Sequence, residues 1–369
     1  MMAICIILFA YLLFLVLMIT GWKKIQHVSF PSGTEKSRIS IVIPFRNEAE
    51  NFSRLFQSLQ KQDAAIADYE VIFVNDHSTD DSTTILRENE KNFSFQYQCL
   101  DLPSSLQGKK AALQYGIEHA RHPVILSTDA DTWHAAGWIK SYLKVFRHPE
   151  VQFAFGLVEV VSNNNLFGKM QTLEFRSLMR SAAASLYFKV PTMCNGANLA
   201  FRKLAFESVG AYAEHAQLAS GDDEFLYHAI ARQYPDGVKF LPDAPAAVFV
   251  AAKPDLKSFI AQRIRWASKW KHHRIFPMPL LAFFIALVQL AWLSLPFLLL
   301  LNSEWVIILM LICLKVLLEF IFLSGKAANN TSKFSLSAFT ALQFLYAPYV
   351  WLSAICATFF SYSWKGRRY

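Results

Sequence analysis

Apolar residues are spaced differently in different parts of this chain. Residues 3–20, AICIILFAYLLFLVLMIT, run without a charge and are long enough to cross a bilayer. Beyond them the apolar runs shorten. RISIVIPF (38–45) is a short β-branched run, and EAENFSRLFQSLQKQ (48–62) then places Phe52, Leu55, Phe56 and Leu59 at helical spacing. YEVIFVND (69–76) predicts a second strand, and the polar turn HSTDDST supplies capping residues for a helix near Ile85. FQYQCLDL (95–102) predicts a third strand, KKAALQYGIEHA (109–120) a helix and PVILSTDADT (123–132) a fourth strand. Such alternation predicts an α/β domain with a mostly parallel sheet and helices on both faces. Residues 166–188 read as an amphipathic helix that lies on a membrane, lines a groove or packs in a core; CNGANLAFRK (194–203) reads as a polar turn entering a strand.

Past Arg274 the apolar runs lengthen again. Pro277 to Leu323, broken at LNSE (301–304), suits two spans, and Phe334 to about Trp364 a third, distorted at Pro348. The expected organisation is an anchor over 1–22, a globular domain over 36–250, an amphipathic interface segment over 251–275 and a membrane region of about three spans over 276–364.

Composition supports this division. Hydrophobic residues make up 54 % of the 369, with 32 Phe, too apolar for an ordinary soluble protein. No base precedes the first apolar run, and Lys23 and Lys24 follow it, which favours an uncleaved anchor over a signal peptide. The positive-inside rule then puts Lys23 to Arg274 in the cytoplasm, and Lys326 and Lys333 agree. The C-terminal KGRRY would fall outside, so either the rule fails there or the final segment is re-entrant or interfacial. The net charge of +8 needs no nucleic acid, because many bases flank apolar segments and suit an anionic bilayer face. The five cysteines form no C-x-x-C pair and are expected to be reduced, without disulfide or zinc. Asn329 and Asn330 head N-x-S/T matches in a loop expected to be cytoplasmic, which makes the matches chance.

In a parallel sheet the ligand lies beyond the carboxyl ends of the strands. RNEAE, NDHSTDD and DAD fall there. Asp129 and Asp131, two apart after a buried strand, would face one cation if the backbone is extended, and hard oxygens suit Mg²⁺ or Mn²⁺; a polar turn or helix cap is the plain alternative. Asp76 could bind a base or ribose, or simply cap a helix. Lys109, after Gly108 at a helix start, suits a phosphate. In GDDEFL (221–226), Asp222, Asp223 and Glu224 could cap a helix, or one could act as a general base. QRIRW (262–266) puts two arginines and a tryptophan just before the spans, as a topology signal or as a clamp for an anionic substrate. Lys315 and Glu319, at i, i+4 within a predicted span, are expected to pair with each other rather than line a transport path.

Taken in order, IVIPFRNEAENF, VIFVNDHSTDDS, GKKAAL, STDADT, NGANLAFRK, GDDEFL and QRIRW resemble the membrane-integrated family 2 inverting glycosyltransferases. That group includes cellulose, chitin and hyaluronan synthases and ceramide glucosyltransferase, and the resemblance runs from about Ser40 to Trp266. It implies a GT-A catalytic domain over 36–250 and a bound Mg²⁺ or Mn²⁺. By resemblance, Asp76 and the turn Pro44 to Glu48, with Arg46, contact the nucleotide of a nucleotide-sugar, a uridine-diphosphate sugar being expected. Asp131 is implied as the metal ligand, with Asp129 supporting the diphosphate side and sharing the metal. Asp223 is implied as the base, Asp222, Asn195 and Gly196 as acceptor neighbours. Gln262, Arg265 and Trp266 match Q-x-x-R-W and are implied to hold the diphosphate and line the acceptor entrance. Glu224 departs from synthases that carry a base at this position. The implied protein is multi-pass, in a bacterial inner membrane, with membrane lipids and a lipid or glycan acceptor as partners. About four spans suit single transfer to a lipid better than a polymer channel; a processive synthase, and a non-catalytic nucleotide-binding transporter or sensor, remain the alternatives.

Overall fold

A computed structural model describes residues 2–28, 30, 33, 35–210, 212, 221–268, 278–301, 305–325, 327, 332–359, 363–364 and 367–368. Arg274, the LNSE turn beyond Leu301, Lys326, Asn329 and Asn330 lie outside them, as does the side chain of Asp222. The chain divides into two compact units: residues 25–161 with 189–251, and residues 1–24 with 162–188 and 252–369.

The first unit is built on a seven-stranded sheet. Its strands are β1 (Ile39–Phe45), β2 (Tyr69–Asn75), β3 (Tyr97–Asp101), β4 (Val124–Ser127), β6 (Phe153–Gly156), β8 (Leu199–Arg202) and β9 (Val238–Leu241), in the order β3-β2-β1-β4-β8-β6-β9. From β3 to β4 the strands are parallel, β8 runs antiparallel to both neighbours, and β6 pairs parallel with β9. The sheet is thus mostly parallel, as expected. All seven residues of β1 are buried, as a central strand covered on both faces requires. A second sheet orders β5 (Thr132–His134), β10 (Val248–Ala251) and β7 (Val158–Val161). The helices α2 (Ala49–Gln60), α3 (Ser82–Asn89), α4 (Lys109–His119), α5 (Trp138–Val145), α7 (Lys203–Ser208) and α8 (Asp222–Gln233) complete the unit. α2 buries Phe52, Leu55, Phe56 and Leu59, the four residues its spacing picked out.

One strand differs from expectation. β4 ends at Ser127, and Asp129 and Asp131 flank a turn before β5 instead of lying in an extended segment. Thr132 holds that turn: its Oγ1 donates to the Asp129 carbonyl (2.7 Å) and lies 3.0 Å from Thr128 Oγ1. The two carboxylates therefore do not share a face by strand alternation.

The second unit is helical. Among the described residues four helices are long and apolar enough to cross a membrane: α1 (Met2–Ile25), α10 (Met278–Leu301), α11 (Trp305–Leu323) and α12 (Leu336–Phe359). α12 continues through Pro348, and α10 through Pro296. Two further helices, α6 (Leu166–Tyr187) and α9 (Leu256–Ala267), belong to this unit. α6 lies inside the span 36–250 in sequence, yet clusters with the helical unit. Its buried face is polar as well as apolar: Gln171, Thr172, Glu174, Arg176 and Arg180 are all buried. Arg176 donates to the Leu323 and Ser332 carbonyls, and Arg180 to the Phe322 carbonyl. The last carbonyls of α11 lack intrahelical donors, so these cations satisfy them and complement the helix dipole.

Inside the four-helix region, Lys315 Nζ meets Glu319 Oε2 at 3.0 Å and Gln343 Oε1 at 2.9 Å. Gln343 Nε2 also donates to Glu319 (2.9 Å), Tyr11 Oη donates to Glu319 Oε1 (2.8 Å), and the ammonium sits 3.8 Å from the Trp292 ring centroid. The Lys315–Glu319 pair was expected; its partners on α1, α10 and α12 were not, because no periodicity joins residues so distant in sequence. The last described residues, Ser363–Trp364 and Arg367–Arg368, pair as an antiparallel ladder.

Candidate active site

Because β1, β2 and β4 are parallel, the loops after them emerge at one edge of the sheet. The loops after β1 and β2 are pinned together. Arg46 Nη1 donates to the Asp76 carbonyl (2.9 Å), the Asn47 carboxamide accepts from Thr79 N–H (2.8 Å), and Asp80 Oδ2 accepts from Ala49 N–H (3.1 Å). Asn47 and His77 both have φ of 54°, the left-handed region in which Asn and His are among the better tolerated residues. Glu48, at the N-cap of α2, is buried and accepts from Asn51 Nδ2 at 2.6 Å, while its N–H donates to Ser82 Oγ. Pro44 lies buried within β1. Of the PFRNE residues, Arg46 and Glu48 thus hold the turn's own shape. Asp80, not Asp76, takes the helix-capping part at α3, accepting from Ser82 N–H and Oγ.

The start of α4 gathers the acidic loops. Asp76, 5 % exposed, accepts from Gly108 N–H at 3.0 Å. Lys109 Nζ pairs with Asp129 Oδ1 at 2.6 Å, and Lys110 Nζ lies 5.8 Å from the centroid of the Phe225 ring in the first turn of α8. Gly108 has φ of +93°, open to glycine at little cost, and this turn aims its N–H at Asp76. Three consecutive residues therefore touch the loop after β2, the turn after β4 and the start of α8. Lys109, expected at a phosphate, is held by Asp129.

Asp223 lies in the first turn of α8. Its Oδ2 accepts from Gly196 N–H (2.9 Å) and its Oδ1 from Glu224 N–H (2.8 Å), which orients the carboxylate. Gly221 starts the helix at φ +89°, and a Cβ there would lie 2.5 Å from the Phe225 ring. Gly196 is presented by a tight turn in which Asn195 Oδ1 accepts from Ala197 N–H and its carbonyl from Asn198 N–H.

Asn198, which the sequence reading passed over, anchors that turn. It is fully buried; its Oδ1 accepts from Trp138 Nε1 and Tyr142 Oη (both 2.8 Å), and its Nδ2 donates to the Leu157 and Ala246 carbonyls. Beneath the turn after β4 lies His134, bonded to Ser58 Oγ (3.0 Å) and Thr128 Oγ1 (2.9 Å) and stacked on Trp138. Burial pushes its imidazole down to about 3, so it is neutral at physiological pH. The only early sign of Asn198 was a polar residue directly before an apolar strand.

As for metal, Asp131 is exposed and the Asp129 side chain one-third exposed. Two hard oxygens fit a Mg²⁺ or Mn²⁺ ion that completes its shell with phosphate and water. Among the described residues no group of three His, Cys, Asp or Glu side chains could hold a metal by itself.

The QRIRW residues lie on α9 in the helical unit. Gln262 Oε1 accepts from Arg263 Nη1 at 2.6 Å, and Arg263 lies 4.4 Å from the Trp266 ring centroid. The two arginines differ: Arg263 is buried, Arg265 partly exposed. Arg263 forms a two-pronged ion pair with Glu174 of α6. Burial would lower its basicity, but the Glu174 carboxylate more than offsets this and raises it. A buried, paired arginine cannot be a topology signal alone.

Comparison with known proteins gives this arrangement its setting. Residues 40–210 match Glycosyl transferase family 2. CsbB of Bacillus subtilis (strain 168) is 30 % identical over 152 residues, 41 % of each chain. The poly-beta-1,6-N-acetyl-D-glucosamine synthase of Staphylococcus epidermidis is 25 % identical over 237 residues, 62 % of this chain and 53 % of the synthase. The chain therefore spans about half the length of these curated relatives or less. Among solved structures, mannosyltransferase PcManGT from Pyrobaculum calidifontis, in complex with GDP-Man and Mn²⁺, matches with a TM-score of 0.60. The match covers 97 % of this chain and 98 % of that one at 19 % identity, a likeness of fold. The chain carries a glycosyl transferase family 2 domain, on a GT-A-like fold, over residues 40–210.

Proposed function

We propose that the protein is an inverting, membrane-bound glycosyltransferase that moves a sugar from a nucleotide-diphosphate sugar to a hydroxyl of a lipid or lipid-linked acceptor at the cytoplasmic membrane face. The observation that carries this reading is the convergence at Gly108, Lys109 and Lys110 of Asp76, Asp129 and the first turn of α8. It brings a nucleotide-type carboxylate, a diphosphate-type cation and carboxylate, and the helix bearing Asp223 to one edge of one sheet.

In this reading Asp76 and the Pro44–Glu48 turn receive the nucleoside. Lys109 lies against the diphosphate and Asn195, Gly196 and Asp222 serve the acceptor; by the Q-x-x-R-W resemblance Arg265 serves the diphosphate and Gln262 and Trp266 the acceptor entrance. The acceptor oxygen attacks the anomeric carbon while the bond to the diphosphate breaks; its electron pair leaves on the diphosphate and the acceptor proton passes to Asp223. One displacement inverts the configuration, and no sugar becomes bound to the enzyme. Asp131 and Asp129 would hold Mg²⁺ or Mn²⁺, which when bound supplies neutralisation of the leaving diphosphate. The backbone N–H groups of Gly196 and Glu224 hold the Asp223 carboxylate in a fixed orientation, as a base that must meet one hydroxyl requires.

The four candidate spans among the described residues favour single transfer to a membrane acceptor over a polymer channel. The similarity to a polysaccharide synthase keeps polymer synthesis as a second reading. The test is turnover of UDP- and GDP-sugars by protein in lipid with Mn²⁺ or Mg²⁺. Asp223→Asn should lower kcat by about 10²–10⁴-fold while the donor still binds. A single-sugar lipid product supports the first reading and a long glycan the second. Equal turnover by Asp223→Asn removes Asp223 as base, and absence of turnover by the wild type refutes the transferase.

A further inference from the structure

Q-x-x-R-W leaves its second residue unspecified. Here that residue is Arg263, and every part of its guanidinium is used. Nε donates to Glu174 Oε1 at 3.0 Å, and Nη2 makes the second, shorter bond to Glu174 Oε2. Nη1 donates to the carboxamide oxygen of Gln262 at 2.6 Å. The guanidinium carbon lies 4.3 Å from the Phe259 ring centroid and 4.4 Å from that of Trp266. Glu174 is tied in turn from α12, where Tyr349 Oη donates to Oε1 at 3.2 Å and the Tyr349 ring packs 5.4 Å from Phe259. Arg263 and Glu174 are each 6 % exposed.

Such a pair is expensive to bury and is poor evidence of stabilisation in itself. What it does achieve is geometry. Two parallel N–H···O bonds fix the plane of the guanidinium, and a fixed plane sets where an aromatic ring can stack and where one carboxamide oxygen can bond. We infer that Arg263 is a positioning residue for Gln262 and Trp266, and that Glu174 of α6 and Tyr349 of α12 are its anchors. Arg263 touches no substrate; it fixes the side chains of its two neighbours in the motif. The inference rests on the reading in which Gln262 and Trp266 meet the substrate. It goes beyond that reading by assigning the arrangement of α9 to a residue 89 positions upstream of Arg263 and one 86 downstream.

The test uses the full-length protein in lipid, with tryptophan replaced by 5-fluorotryptophan and the Trp266 ¹⁹F resonance assigned by Trp266→Phe. R263K keeps the charge but loses the fork and the flat stacking face. Y349F removes only one bond to Glu174, and serves if R263K does not fold. Both should shift or broaden the Trp266 line, R263K more. Turnover, measured well below each variant's unfolding temperature, should fall about 10-fold or more in R263K, the cost of losing positioned groups. In the Trp266→Ala, Gln262→Ala background the same change should cost less than about 2-fold, because nothing remains to position. An unmoved Trp266 resonance overturns the inference. So does an equal loss in both backgrounds, the behaviour of a pair that only holds the fold. If the wild type turns over no donor, the transferase reading fails while the resonance still decides whether Arg263 positions Trp266.

Discussion

Asn198 offers the sharpest stability prediction. Its side chain makes four hydrogen bonds with no solvent exposure, two accepted from Trp138 and Tyr142 and two donated to the carbonyls of Leu157 and Ala246. Asn198→Ala deletes all four. Tyr142 Oη keeps a bond to the Asn198 carbonyl at 3.1 Å and the Leu157 carbonyl keeps one from Val248 N–H at 3.0 Å, but the indole N–H of Trp138 and the Ala246 carbonyl lose these partners inside a packed core. Each buried polar group so stranded costs about 1–3 kcal/mol, so the two together cost about 2–6 kcal/mol, centred on about 4. For a unit of about 200 residues, each kcal/mol shifts the midpoint by about 2–4 °C, predicting a fall of about 8–16 °C. Asn198→Asp, the same shape, should be no better, because it points an oxygen at two carbonyl oxygens. The assay is thermal unfolding in detergent followed by tryptophan fluorescence. A midpoint for Asn198→Ala within about 2 °C of wild type would show that the four bonds are not what holds the turn under Gly196.

Three further outcomes are expected. His134 has a pKa pushed down to about 3 by burial, so the unfolded chain, near 6.5, binds the extra proton. The stability held by neutral His134 is therefore complete above about pH 6.5 and is lost at up to about 1.4 kcal/mol per pH unit as pH falls toward 3. His134→Gln should flatten that dependence by one proton; an unchanged slope refutes it. Gly221→Ala forces a φ of +89° on a residue with a Cβ, costing about 1–2 kcal/mol, and pushes against Phe225. Steady-state kinetics should show kcat falling more than donor KM rises, since the first turn of α8 carries Asp223, and an unchanged kcat counts against that link. Lys315→Met leaves the half-buried Glu319 without its cation, with only Tyr11 and Gln343 still donating to it, at a cost of up to about 3–5 kcal/mol. The double variant with Glu319→Leu should recover part of this in thermal unfolding, and simple additivity would refute the coupling.

How much of this was legible beforehand depended on the range of each interaction. Strands β1 to β4 and α2 follow from periodicity and the four long helices from unbroken apolar length, both local properties; β6, β7, β9 and β10 carried no such signal. The edge of the sheet at which the polar loops gather followed from the parallel order of β1, β2 and β4. The turn at Asp129 did not: VILSTDADT is apolar and β-branched enough to read as one strand, and the Thr128–Thr132 contact that folds it is visible only in three dimensions. Arg263 and Arg265 look alike in sequence. What distinguishes them is one carboxylate on α6, Glu174, in a helix whose pattern allowed membrane, groove or core. Asn198 looks like any loop asparagine until its four partners, drawn from three segments, are counted. Local rules found which residues could do chemistry; which of them are held, and by what, required the fold.

The division of the chain also constrains how the protein is made. The helical unit takes its residues from the beginning, the middle and the end of the chain, and the Tyr11–Glu319 bond spans 308 positions. α1 therefore leaves the ribosome 308 residues ahead of its Glu319 partner on α11. At synthesis rates of about 5–20 residues per second, that lead lasts tens of seconds. Until α9 arrives Glu174 lacks Arg263, and until α11 arrives Arg176 and Arg180 lack its carbonyls. A nascent chain stalled near residue 250 would thus hold the strands of the large sheet and an α6 that lacks its contacts to Arg263 and α11, a ready substrate for quality-control proteases.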